Sequence, residues 1–399
     1  MDDIQGRDSD NSFPFHDPGH TSPRNRTPWD TVAGRVLSLI SRKGGVGKTT
    51  SAVNLGGALA LSGHTVLIVG LDPQCGVCRS LGVAQDDLET GLGEIFSANT
   101  PLTELVQPSP LENLFFVSPR ITSLADEESF LADMNRRADD FAREIDRARN
   151  LYDTILVDCP PSLGAPTRAA LQAADAFLVP IQAEELCRGS LAPLMDFVAD
   201  FRRRQLPGAG RETPVLEGLF LTMVNGRTRM GRHVTDQVAE DFGPDLLETS
   251  VPRTTRLTEM ALKGKPAVIY ARTTSGSRAY FNLADELVSR FLARSDAFES
   301  GAEERDSAAE PNSATEPSTA EPMHARPTDS ALGGLDRFLA DLGGTNDINP
   351  VRGAAPEAGP PEMVSLDDLL AEEERDSGFR GERDDDGWAY GIDPDDTLN

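Results

Sequence analysis

The chain has 399 residues, with 65 Asp and Glu against 38 Lys and Arg and a formal net charge of −27. The acidity is uneven: from Asp296 to Asn399 there are 27 acidic residues, seven Arg and no Lys, so this stretch carries −20 and residues 1–295 only −7. Four cysteines, no leader-like segment and no apolar run long enough to span a bilayer argue against a secreted disulfide scaffold or a membrane-spanning protein, and predict a reduced, cytoplasmic one.

Residues 1–33 are rich in Asp, Ser, Pro, Asn and His and lack aliphatic periodicity, so a disordered arm is expected. Without helical periodicity it holds no helix-turn-helix, and operator-specific repression is not expected. Its few basic residues, such as Arg24 and Arg26, are candidates for touching DNA or a partner. From residue 34 to about 295, apolar runs alternate with amphipathic stretches. The runs Val36–Ile40, Val66–Val69, Leu114–Val117, Thr154–Val157, Ala176–Ile181 and Leu216–Val224 predict strands, with a short one near Thr249–Val251. Strands alternating with helices predict an α/β domain, a mostly parallel twisted sheet with helices on both faces. Residues 296–399, rich in Ala, Glu, Asp, Pro, Ser and Gly, are expected to form a disordered acidic tail.

The first apolar run leads directly into Lys43-Gly44-Gly45-Val46-Gly47-Lys48-Thr49-Thr50. A buried strand entering a glycine turn and then a helix is the context a phosphate-binding loop requires. The glycines let backbone N–H groups approach phosphates, Lys48 supplies positive charge to the β- and γ-phosphates, and Thr49 places a hydroxyl where Mg²⁺ binds. Two further strands end in carboxylates. Val66–Val69 runs into Gly70-Leu71-Asp72-Pro73-Gln74, and Ile155-Leu156-Val157 into Asp158-Cys159-Pro160-Pro161-Ser162. Asp158 is the Walker B candidate for the Mg²⁺ shell, and Asp72 can orient water or metal. The Pro160-Pro161 pair stiffens the segment expected to sense a γ-phosphate.

The second lysine, Lys43, makes the loop similar to the deviant Walker motif of the ParA/MinD/nitrogenase-iron-protein class of ATPases. The strings LDPQ, DCPPS, Val179-Pro180-Ile181-Gln182, Leu221–Thr228, Val251-Pro252-Arg253 and Gly264-Lys265-Pro266 follow in order, and over residues 35 to about 295 they resemble the ParA/Soj partition ATPases. The resemblance implies an ATP- and Mg²⁺-dependent switch. Its ATP form is a homodimer that binds DNA non-specifically on the nucleoid, and a cargo-bound, ParB-like partner stimulates hydrolysis. It implies that Lys43 reaches the partner's nucleotide, that Lys48 and residues 44–50 hold phosphate, that Thr49 and Asp158 serve Mg²⁺, that Asp72 orients the attacking water, and that Pro252 lies by the nucleotide. It also implies DNA contacts from Arg227 and Arg256, within a scattered basic stretch that includes Arg229, Arg232, Arg253, Lys263 and Lys265. Such contacts go to phosphates and weaken with salt.

Two positions depart from the family. Gly70 stands where an acidic residue is usual, which removes an acceptor and is expected to loosen the strand end and slow turnover. Arg42 replaces a common Gln, and either adds charge near the nucleotide or sits in an exposed salt bridge. Arg202-Arg203-Arg204 is expected at an exposed helix end. The pair Cys75-Gly76-Val77-Cys78 leaves a redox or metal role open, without the ligand placement of a nitrogenase iron protein; Cys159 and Cys187 are expected as small buried fillers. In the tail, 332–342 and 364–371 are short amphipathic islands, the second capped by Ser365, suited to docking in a groove. They are too acidic for an anionic membrane, which disfavours a MinD-like membrane-targeting ATPase. A nucleotide-binding regulator or scaffold with weak turnover is the other alternative, and Gly70 is the feature that favours it. The cargo is not legible.

Overall fold

The structure, a computed structural model, describes residues 34–182, 188–205, 213–225, 235–236, 238–240 and 242–307. The N-terminal arm, Cys187, Arg227, Arg229, Arg232 and both tail islands lie outside the described residues.

The elements run β1 (Arg35–Leu39), α1 (Lys48–Leu61), β2 (Val66–Gly70), α2 (Gly76–Ser80), α3 (Glu94–Ser97), α4 (Leu102–Leu105), β3 (Gln107–Pro108), β4 (Leu114–Val117), α5 (Leu124–Arg136), α6 (Ala138–Ala148), β5 (Thr154–Asp158), α7 (Ala165–Ala173), β6 (Ala176–Gln182), α8 (Arg188–Arg204) and β7 (Val215–Thr222). Short helices at Thr255–Thr258, Met260–Lys263 and Ala267–Tyr270 precede a long final helix, Ser275–Ser307. The sheet order is β3-β4-β2-β5-β1-β6-β7. All pairs are parallel except the two-residue edge strand β3, which pairs antiparallel with β4.

The expected α/β architecture follows from the strand sequences. Apolar residues occupy both faces of each inner strand, so each face must be covered. Leu37, Leu39, Val66, Ile68, Phe116, Leu156, Leu178 and Phe220 pack with α1, α2 and the final helix. Val36, Ile40, Leu67, Val69, Ile155, Val157, Phe177 and Val179 pack on the other face with α5 to α8. Helix α6 shows the amphipathic spacing, with Phe141, Ala142, Ile145 and Ala148 inward. Helix α1 is apolar nearly all round, and its buried residues are correspondingly spread over its whole surface.

Three expectations change. The run near Thr249–Val251 is not a strand: Val251 N–H donates to Leu221 O of β7 at 2.8 Å and Val224 bridges to Pro252, but no continuous ladder forms. β3 was not anticipated, because a two-residue edge strand containing proline has no periodicity to read. The final helix continues past 295 to Ser307, since this stretch, though acidic, holds two Ala and three Glu, which favour helix.

Candidate nucleotide site

Strands β5, β1 and β2 end side by side. Asp158 is register partner to Leu39 of β1 and to Gly70 of β2, and Leu71 N–H donates to Asp158 O at 2.9 Å. The loop 41–47 therefore leaves the sheet at the carboxyl ends of its central strands, where open α/β sheets place ligands. Arg42, Lys43, Gly44 and Gly45 are exposed, whereas Val46 and Lys48 are buried. Gly47 takes φ +92° ahead of α1, a left-handed turn that favours glycine. A Cβ on Gly45 would meet nothing within 4 Å, so the space beside this residue is open. The loop is braced from beneath: Thr222 Oγ1, at the end of β7, donates to Val46 O at 2.9 Å and also lies 3.2 Å from Ile181 O. The stiff Pro160-Pro161 segment lies alongside, with Pro161 Cβ 3.8 Å from where a Cβ of Gly44 would sit.

Lys48 Nζ donates to Lys43 O at 2.9 Å, closing the loop on itself. Burial lowers its pKa, opposed by the charges of Asp158 and Asp72. Thr49 Oγ1 donates to Asp158 Oδ2 at 2.7 Å. Asp158 is fully buried, and its other carboxylate oxygen, Oδ1, has no hydrogen-bond partner. Burial pushes its pKa up to about 7, against the pull of the Thr49 hydroxyl and Lys48, with Asp72 adding to the rise. A hydroxyl and a carboxylate side by side, with one buried oxygen unpartnered, fit a hard divalent cation such as Mg²⁺. Asp72 is half-buried, and its Oδ1 accepts from Gln74 N–H at 2.9 Å. Lys43 is exposed, its Nζ 3.4 Å from Gln182 Oε1. Pro252 bridges to Val224 just beyond the end of β7, on the same side of the sheet as the loop.

A family described as an AAA domain matches residues 34–207. The chain is 33% identical over 254 residues to the sporulation initiation inhibitor protein Soj of Bacillus subtilis, covering 64% of this chain and 98% of Soj. The chain belongs to the ParA/Soj family of partition ATPases. The chromosome partitioning protein ParA of Caulobacter vibrioides is 36% identical over 260 residues, 64% of this chain and 94% of that protein. Among solved structures, the cobyrinic acid a,c-diamide synthase of Mycobacterium smegmatis with an ATP analogue and magnesium superposes with a TM-score of 0.55 at 29% identity, covering 64% of this chain and 95% of that one. The septum site-determining protein MinD of Pyrococcus horikoshii with Mg-ADP shares the fold, at TM-score 0.52 and 24% identity over 63% of this chain and 95% of that one.

Against that family, the strand end at Gly70 is closed rather than loose. A Cβ there would lie 2.7 Å from Ser118 Oγ and 3.2 Å from Val77 Cγ2, so Ser118 and Val77 fill the space that a side chain would need. Ser118 Oγ is buried without a hydrogen-bond partner. Arg42 is exposed and forms no ion pair among the described residues. Arg203 and Arg204 are exposed but lie against Asp200, and Arg202 donates to Pro214 O, so the basic triplet is a paired helix end. Arg256 is exposed on the helix Thr255–Thr258 and paired with Glu259 at 2.9 Å.

The cysteines depart from the reduced state expected. Cys75 and Cys78 form a disulfide, because the turn into α2 brings their Cα atoms to 5.4 Å, within bridging range. No group of three or more His, Cys, Asp or Glu among the described residues is placed to hold a metal. Cys159 is buried as expected, and burial pushes its thiol pKa up. Sequence reasoning gave no role to Ser118, or to Thr222 within the Leu221–Thr228 string: their contacts are set by strand register.

Proposed function

We propose that this chain is an ATP- and Mg²⁺-dependent hydrolase that dimerises on ATP, binds DNA without regard to sequence, and segregates or positions a DNA or protein cargo on the nucleoid. The observation that carries the reading is the Thr49–Asp158 pair, with its unpartnered buried oxygen, beside the loop that Lys48 closes. Membership of the partition family supplies the class of task.

In this reading the backbone N–H groups of residues 44–50 and the Lys48 ammonium hold the β- and γ-phosphates. Thr49 and Asp158 hold Mg²⁺, which when bound neutralises charge on those phosphates. Asp72 accepts a hydrogen bond from the attacking water and orients it, while the turn through Gln74 fixes the carboxylate. Lys43 leaves Gln182 and reaches the nucleotide of the partner subunit, so full turnover requires two copies. Pro252 flanks the nucleotide. Arg227 and Arg256 contact DNA phosphates once the dimer forms, and a ParB-like protein on the cargo stimulates turnover. Residues 34–295 carry these activities, between the N-terminal arm and the acidic tail. Turnover is slow until stimulated, consistent with a strand end that carries glycine in place of a carboxylate.

The test is ATP turnover by the full chain with and without double-stranded DNA, together with retention on DNA across a salt series. Slow turnover, with retention that needs ATP and falls steeply with salt, supports the proposal. ATP binding without turnover or DNA retention favours the regulator reading, for which Gly70 is the specific observation.

A further inference from the structure

The disulfide sits between two parts of the nucleotide site. On its N-terminal side, Cys75 N–H donates to Asp72 O at 2.9 Å, closing the turn in which Gln74 N–H holds the Asp72 carboxylate. On its other side, Gly76 packs against Thr49: a Cβ on Gly76 would lie 3.1 Å from Thr49 Cγ2. Helix α2, which the bond spans, has only five residues. So short a helix is not held by its own hydrogen bonds. Val77, Cys78 and Leu81 pack it into the core, and two further ties fix its ends. One is the Cys75–Cys78 bond. The other is a backbone contact after the helix, where Gly82 at φ +78° meets Gly264 at φ +58° so closely that a Cβ on Gly82 would stand 2.8 Å from Gly264 O. Cys75 itself lies at φ +49°, a region disfavoured for a residue with a side chain.

We propose that Cys75–Cys78 is an exchangeable disulfide that sets the turnover of the nucleotide site. Oxidised, it pins the start of α2 and with it the turn that aims Asp72. Reduced, it frees Cys75 to leave its left-handed conformation, and the Asp72 turn loosens while the phosphate loop, which contains neither cysteine, keeps its hold on nucleotide. The reductant is a dithiol. Its thiolate attacks one sulfur of the pair, the Cys75–Cys78 bond breaks and a mixed disulfide forms. The reductant's second thiolate displaces that bond, leaving two protein thiols and an oxidised reductant; two electrons and two protons pass to the protein. Cys75 and Cys78 are 2% and 0% exposed, so attack requires α2 to open. Opening draws Gly76 away from Thr49. Occupancy of the site by Mg-ATP, which holds Thr49, opposes opening and slows reduction.

The proposal rests on the reading of the loop as an ATP site, and the experiment keeps the two apart. Full-length protein is prepared oxidised and after reduction with dithiothreitol, and the redox state of the peptide carrying both cysteines is read by alkylation and mass spectrometry. Reduction is expected to lower turnover about tenfold, within the range that small misplacement of a catalytic group produces, with ATP affinity unchanged. Reoxidation restores the rate. The double variant Cys75→Ala/Cys78→Ala has the low rate in either condition, and Cys159→Ala still responds as the native chain does. Separately, the rate of disulfide reduction is measured with and without Mg-ATP, and at least a fivefold slowing is expected. Equal turnover in both redox states of a chain that does turn over ATP overturns the proposal. If neither form turns over ATP, the hydrolase reading fails, and the protection measurement decides the link between the disulfide and the site: slowing supports it and an unchanged reduction rate overturns it.

Discussion

The Asp158→Asn variant tests the physical state of the site most finely. Burial pushes the Asp158 pKa from 3.8 up to about 7 in the folded chain. A carboxyl group whose folded pKa is raised contributes stability that is complete below pH about 4 and is lost as pH rises to about 7, because the fold holds the proton longer than the unfolded chain does. At about 1.36 kcal/mol per pKa unit, the loss between pH 5 and pH 8 is roughly 2–3 kcal/mol. For a domain of this size that corresponds to roughly 5–10 °C in Tm. Asparagine does not titrate, so the variant lacks this loss. The attraction to Lys48 arises only as the carboxyl ionises and is already contained in its raised pKa, so it adds no separate offset. Melting of both proteins is followed by calorimetry in chelator, without nucleotide, at pH 5 and pH 8. The variant should gain about 5–10 °C on the native chain between the two conditions. Adding Mg²⁺ and a non-hydrolysable ATP analogue at pH 8 should stabilise the native chain and add no Mg²⁺-dependent increment in the variant. A gap between the two proteins that does not change with pH would refute the claim that Asp158 is held in a desolvated position awaiting a cation.

Lys48→Ala should abolish ATP binding, while Lys43→Ala should bind ATP normally and lose turnover, which separate affinity and hydrolysis assays will distinguish; equal loss of binding would remove the case for a lysine acting across the dimer. Gly82→Ala adds a Cβ 2.8 Å from Gly264 O at φ +78°, so a cost of about 2 kcal/mol or more is expected in denaturant titration, and full stability would show that the backbone yields there. Arg256→Glu should cut DNA retention several-fold at low salt with ATP affinity unchanged, and the native chain should lose retention steeply as salt rises; salt-independent binding would rule out a phosphate-contacting surface. Deleting residues 296–399 should raise DNA affinity most at low salt, because a tail of charge −20 competes with phosphates over a Debye length of about 8 Å at physiological salt, and parallel salt curves would leave the tail inert.

The parts of the site that lie in continuous segments were legible before any coordinates. A strand entering KGGVGKTT, and a second strand ending in Asp158, are local patterns whose chemistry depends on residue type and spacing. Six of the seven strands were legible because strands of a doubly covered sheet read as nearly continuous apolar runs. What stayed hidden depends on register or on distant contacts. Ser118 meets Gly70 because β4 pairs with β2, and Thr222 braces Val46 from 176 residues away. The contact of Gly82 with Gly264 joins segments that share no motif. The disulfide had its sequence signal, two cysteines three apart, but the turn that brings them within bonding distance is a property of the fold. The segment near Thr249–Val251 is short and of mixed polarity, which fits a strand or a loop equally well, and packing decided for the loop.

The central claim, that hydrolysis at this site ends an ATP-bound state able to hold DNA, is tested most directly with Asp72→Ala. The variant keeps Lys48, Thr49 and Asp158, and loses only the carboxylate assigned to the attacking water. Light scattering coupled to size exclusion, run with Mg-ATP and then with short duplex DNA, reads both assembly and DNA occupancy. The account predicts a stable dimer that stays on DNA after the native chain has turned over its ATP and left. A variant that binds ATP yet remains a monomer, or a dimer that ignores DNA, would contradict it.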